Sequence, residues 1–174
     1  LTVAGRAVGQ SRHPERAARA LAILGEKSGV GGMLGGQSVD VEKTGEHLDA
    51  TTLDFIYRLK TGALLEAAFM MGAALGGASE AEISCAEQIG RAVGLAFQIQ
   101  DDILDETATE AELGKPLHSD EKNQKTTYVS LFGLEAAREA VRQQSEAAEQ
   151  RLREFPGETE TLAALIAYLT DRRF

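Results

Sequence analysis

The sequence predicts an all-α bundle of long helices, and three observations carry that expectation. The hydrophobic content is 43%, without a Trp and dominated by Ala and Leu, a composition that suits helix better than sheet. Apolar positions recur at helical spacing in almost every segment, and no run of useful length alternates at the period of a strand. At 174 residues the chain suffices for a single domain, 1–174, with a real core.

The elements follow in order. Residues 1–10, LTVAGRAVGQ, read as the tail of a helix already under way. Pro14 marks a helix start, and an Ala/Leu/Ile stripe carries that helix to about residue 36. A second long helix spans 50–76 and stops at Gly76-Gly77. Ser79 and Glu82 are spaced as a capping box for a third, 80–106. Residues 107–123 are polar, contain Gly114 and Pro116, and read as a loop. Helices follow at about 124–132 and 134–154, and Pro156-Gly157 separates them from a last one at 159–172. The long helices are expected to pack as a bundle.

Charge and composition exclude several classes. A net charge of −9 argues against nucleic acid or anionic lipid as the main partner. The single Cys85 rules out an internal disulfide framework, and His13, His47 and His118 are too scattered for a zinc site. No apolar run reaches the length of a membrane span and no cleavable signal stands at the start. The expectation is a soluble protein of the reducing cytoplasm.

The stretch FQIQDDILD, residues 97–105, crowds Asp101, Asp102 and Asp105 at the end of an apolar helical run. At about 100° per residue, Gly90, Gly94, Gln98, Asp101 and Asp105 share a stripe, with Asp102 a step off it. Like charges at i and i+4 cost a helix ~0.2–0.5 kcal/mol, and each interior glycine adds about 1 kcal/mol relative to Ala. A sequence selected only for helix stability would carry neither. The two glycines predict a slot without side chains, with Gln98 and the acids further along it. Oxygen ligands without His or Cys suit Mg²⁺, which shares its coordination with substrate phosphates. A solvated helix end is the competing reading.

On the second helix Leu53, Ile56, Tyr57, Lys60, Leu64, Ala67 and Met71 are expected to share one face. Lys60 therefore sits in an apolar stripe, where an ammonium needs an anion or must snorkel to water. A central Lys facing an acid-rich helix fits a diphosphate ligand. Thr61 beside it supplies a hydroxyl donor. Lys115 in a Gly-Lys pair and Lys125 before Thr126-Thr127-Tyr128 add cations that can close over a phosphate.

Read together, these motifs occur in a fixed order: Gly35-Gly36-Gln37 with Asp40; Lys60-Thr61-Gly62-Ala63-Leu64-Leu65; Phe97-Gln98 with Asp101-Asp102 and Asp105; Gly114-Lys115-Pro116; and Lys125-Thr126-Thr127-Tyr128. The sequence resembles the C-terminal half of a trans-isoprenyl diphosphate synthase from about residue 15 onward. It is most similar to the bacterial farnesyl branch, with geranylgeranyl enzymes close by. The resemblance implies Mg²⁺-dependent elongation (Mn²⁺ an alternative), in which an allylic diphosphate condenses with isopentenyl diphosphate. It implies Asp101, Asp102 and Asp105 as the second aspartate-rich metal motif, Asp101 as direct ligand and Asp105 acting through water. It implies Lys60 and Lys115 on the allylic diphosphate, with Lys125 a weaker contributor through loop closure or an ion pair. Thr61 and Gln98 would act near the reacting carbons, in the path of proton removal. Gln37 and Asp40 would shape the diphosphate pocket. Family members usually pair as homodimers.

The family's first aspartate-rich motif has no counterpart in these residues; Asp40 with Glu42, an acid pair of similar spacing, lies inside the Gly-Gly-Gln motif. The expectation is a fragment, inactive by itself, of an active prenyltransferase. Two other readings stay open: a non-catalytic partner subunit of the same fold, and a helical interaction domain without ligand.

Overall fold

A computed structural model describes residues 2–107 and 125–170, and every regular element in them is helical. Helix α1 is Thr2–Gln10, α2 Pro14–Ser28, α3 Met33–Glu42 and α4 Ala50–Ile56. A π-helical turn, Tyr57–Gly62, joins α4 to α5, Ala63–Gly76. Helix α6 is Glu80–Thr107, α7 Tyr128–Phe132, α8 Leu134–Glu154 and α9 Glu160–Thr170.

The caps explain most boundaries. Pro14 stands at the start of α2, with Glu15 in the first turn and Lys27 in the last, each matched to the helix dipole. Asp49 accepts the Thr52 amide at 2.7 Å to open α4. The predicted Ser79 box is formed: the Ser79 amide donates to Glu82 Oε2 at 2.6 Å and the Glu82 amide to Ser79 Oγ at 3.3 Å. Gly77, at φ 87°, closes α5 in the left-handed conformation. Thr127 and Ser130 form a second box, so α7 begins at Tyr128 rather than near residue 124.

Two expectations fail here. The helix expected over 14–36 is two helices separated by a turn at 29–32. That turn folds so tightly that a Cβ on Gly32 would lie 1.9 Å from the Lys27 carbonyl oxygen. The apolar face expected along 50–76 also breaks. Leu64 is 40% exposed, and Ala63 faces inward instead. Ala67 stays buried and Met71 packs against the core, as the stripe predicts.

Helix α6 is the axis of the bundle, packed against α5 on one side and α8 on the other. Toward the acidic end of α6, Leu53, Ile56 and Tyr57 pack with Ala96, Ile99, Ile103, Ala137 and Val141. Ile89 and Val93 meet Ala148, Leu152 and Ile166 at the other end. A polar clamp joins α2, α5 and α6: buried Glu66 accepts from Lys27 and from Arg91 Nε, the latter at 3.0 Å, and Lys27 also reaches Glu87 at 2.6 Å.

The glycine stripe of α6 is a packing surface, not the expected slot. A Cβ on Gly90 would fall 2.7 Å from Glu66 Cα, and one on Gly94 2.9 Å from Gly62 Cα. Their missing side chains let α6 press directly onto α5 and the π turn.

Candidate active site

The π turn places the chemistry. It carries Tyr57, Lys60 and Thr61 in six residues, and π-helical turns concentrate at functional sites. Helix α3 holds it from outside. A Cβ on Gly36 would stand 2.3 Å from the Lys60 amide nitrogen, so only glycine allows the two segments to touch there. One helical turn on, Asp40 Oδ2 accepts Lys60 Nζ at 2.5 Å. The anion that a lysine in an apolar stripe requires is therefore Asp40, from the Gly-Gly-Gln segment.

Lys60, Thr61, Gln98 and Lys125 line one small cavity with Asp40 and Tyr57. Its volume is about 40 Å³, room for a water or two and not for a diphosphate. Four residues expected to act together thus converge from three separate stretches of chain. Gln37 is half-buried on α3 and lies outside this cavity. Lys115 lies outside the described residues.

The acids occupy the last two turns of α6. Asp101 is half-buried, whereas Asp102 and Asp105 are buried. Asp102 Oδ2 accepts the Tyr57 hydroxyl at 2.6 Å and the Tyr128 amide at 2.8 Å. Among the described residues no three acids, His or Cys converge as a preformed metal cage.

The segment that begins at Lys125 is fastened to the loop before α4. Thr126 Oγ1 accepts the Leu48 amide at 3.0 Å and lies 3.3 Å from His47 Nδ1. Lys125, next to it, is brought to the cavity by that bond. Sequence reasoning placed Tyr57 in an apolar stripe and Thr126 in a motif but gave neither a role in the site. A tyrosine in an aliphatic stripe was the available signal for the first, because a buried hydroxyl seeks a partner.

A larger apolar groove of about 600 Å³ opens toward the Gly76-Gly77 end, lined by Phe69, Gly72, Ile89, Phe155 and Leu162 among others. Among the described residues of its lining Glu82 is the charged one. The smaller polar cavity is the better candidate site.

The all-α bundle brings two lysines, a threonine and a glutamine to one cavity, a polar lining suited to a charged ligand. The chain belongs to the polyprenyl synthetase family, whose model matches residues 7–169. It is 41% identical over 158 residues to a dimethylallyltranstransferase from Fischerella ambigua (strain UTEX 1903), covering 88% of this chain and 46% of that protein. It is 39% identical over 153 residues to a farnesyl diphosphate synthase from Escherichia coli (strain K12), covering 86% and 51%. Among solved structures it resembles a geranyltransferase from Helicobacter pylori complexed with magnesium and isoprenyl diphosphate. There the TM-score is 0.71 at 28% identity, over 90% of this chain and 50% of that one. The chain thus spans about half the length of the curated relatives it matches.

Proposed function

We propose that this chain forms the diphosphate-side half of a prenyl-elongation site. The whole protein would condense a dimethylallyl or geranyl diphosphate with isopentenyl diphosphate, giving farnesyl or geranylgeranyl diphosphate. The observation that carries this is the convergence of Lys60, Thr61, Gln98 and Lys125 on one cavity in a polyprenyl synthetase family member.

In the proposed reaction the allylic C–O bond breaks and its electron pair leaves with diphosphate. A carbon–carbon bond forms to isopentenyl diphosphate, and a proton is lost from the adjacent carbon. Lys60 neutralises charge gathering on the leaving oxygens, with Lys115, Lys125 and Gln37 as further diphosphate contacts. Thr61 and Gln98 lie beside the reacting carbons and pass the lost proton to an oxygen of the departing diphosphate, since neither an alcohol nor an amide retains a net proton. Asp101, with Asp105, would hold Mg²⁺, which when bound supplies further charge stabilisation to the leaving diphosphate. The donor set fits: oxygen only, with Asp101 half-buried at a helix end.

Family members are expected to work as homodimers, and prenyl diphosphates are the only ligands this reading requires. The 174 residues alone should not elongate, because the second set of acids that would complete the Mg²⁺ sites is not among them. The test is calorimetric titration of the chain with Mg²⁺ and inorganic diphosphate. Asp101→Ala and Lys60→Ala should each weaken binding about tenfold or more, the effect of one lost charged contact. Binding that neither variant weakens overturns the reading, and so does prenyl elongation by the unassisted chain for the half-site statement.

A further inference from the structure

We propose that Asp102 and Tyr57 are a positioning pair for the acidic end of α6, and that Asp102 is not itself a metal ligand. This rests on the prenyl-elongation reading of the site.

Asp102 is 5% exposed, and its Oδ2 receives two donors from separate parts of the chain. The Tyr57 hydroxyl lies at 2.6 Å and the Tyr128 amide at 2.8 Å. Tyr57 is 4% exposed and is the first residue of the π turn that holds Lys60 and Thr61. Tyr128 is the first residue of α7, three positions after Lys125. One carboxylate oxygen therefore ties together the turn with Lys60, the acidic end of α6 and the segment carrying Lys125. Hydrogen bonds to an ionised acceptor are roughly twice as strong as neutral ones, so this junction fixes geometry more firmly than ordinary contacts would.

Ligation through Oδ2 would require Asp102 to turn from both donors and leave the Tyr128 amide in a part-buried place. Asp101, one position earlier, faces about 100° away around the helix and is half-buried. The bonds of Asp102 inward thus set the direction in which Asp101 points.

Both donors meet the same oxygen, and this gives a discriminating test. An Asn amide oxygen can accept both bonds, but a neutral amide is a weak substitute for a carboxylate on Mg²⁺. The chain is titrated with Mg²⁺ and inorganic diphosphate, and hydrogen exchange is followed at the Tyr128 amide. Asp102→Asn should bind within about threefold of the parent and keep Tyr128 protected. Asp102→Ala should lose about tenfold or more in both, as expected when hydrogen bonds to a charged group are removed. Tyr57→Phe, which keeps the ring, should weaken binding about tenfold by the loss of one such bond.

Asp102→Asn falling as far as Asp101→Asn, with Tyr128 still protected, would make Asp102 a ligand and overturn the proposal. Tyr57→Phe with unchanged binding and exchange would overturn it too. If Asp101→Asn leaves diphosphate binding intact, the elongation reading fails instead. Tyr128 exchange in the Asn and Phe variants still decides the pairing in that case.

Discussion

Asp40 and Lys60 form an ion pair, Oδ2 to Nζ at 2.5 Å, that ties α3 to the π turn. The Lys60 side chain is 35% exposed and that of Asp40 20%. Water screens such a pair, so its contribution to stability is small, about 0–1 kcal/mol. Asp40→Asn should therefore leave the melting temperature nearly unchanged. Its effect should appear in the site, where Lys60 loses the anion that holds it: diphosphate titration should show weaker binding with little change in stability. A large loss of stability would mean that Asp40 acts chiefly in folding.

Gly36→Ala should behave oppositely. The added methyl meets the Lys60 backbone at 2.3 Å, and backbone cannot swing aside as a side chain can. Overpacking of this kind costs about 1–3 kcal/mol. Gly72 is the control: a Cβ there meets nothing within 4 Å, and the residue is exposed within α5. Gly72→Ala should stabilise by about 0.5–1 kcal/mol through helix propensity. Chemical denaturation of both variants checks the pair of signs.

Glu66 is 3% exposed and holds Lys27 and Arg91. Glu66→Ala should cost about 1–3 kcal/mol, because Lys27 loses its nearest anion and keeps Glu87. Replacing Glu66 and Lys27 together with Leu and Met should be milder than the sum of the single changes, a coupling that a double-mutant cycle measures.

The same clamp sets an alkaline limit. Burial opposes the charge on Lys27, but its bonds to Glu66 and Glu87 outweigh that and hold its pKa above 10.5. A raised folded pKa means stability that is complete below pH 10.5 and lost as pH rises through the higher folded value. Lys27→Met should flatten that alkaline decline in a melting-temperature profile.

On the acid side, the Thr52 amide lowers the pKa of Asp49, and the Ser79 amide that of Glu82. Their contributions are present above the ordinary values of 3.8 and 4.5 and fade as pH falls through the lower folded ones. Glu82→Gln should remove part of the acid-side slope, and a profile unchanged by it would show that the box carries no pH dependence.

Much of this was written locally. Helical periodicity, Pro14, the Ser79-Glu82 box and Gly76-Gly77 located helices without knowledge of their neighbours, because caps and propensities act within a few residues. The residue set Lys60, Thr61, Gln98 and Lys125 could also be named from the chain alone. What the sequence could not decide depended on contacts between distant segments. The π turn sits where Gly36 touches Lys60, and Leu64 just after it faces outward. Gly90 and Gly94, read as a slot, became a packing face because α5 lies against them. Asp102 turned inward because Tyr57 and Tyr128, 45 residues before it and 26 after, arrive at the same oxygen. Local sequence sets which residues are helical and which can carry charge. Only the packed bundle decides which face each one presents, because that choice is made by partners far away in the chain.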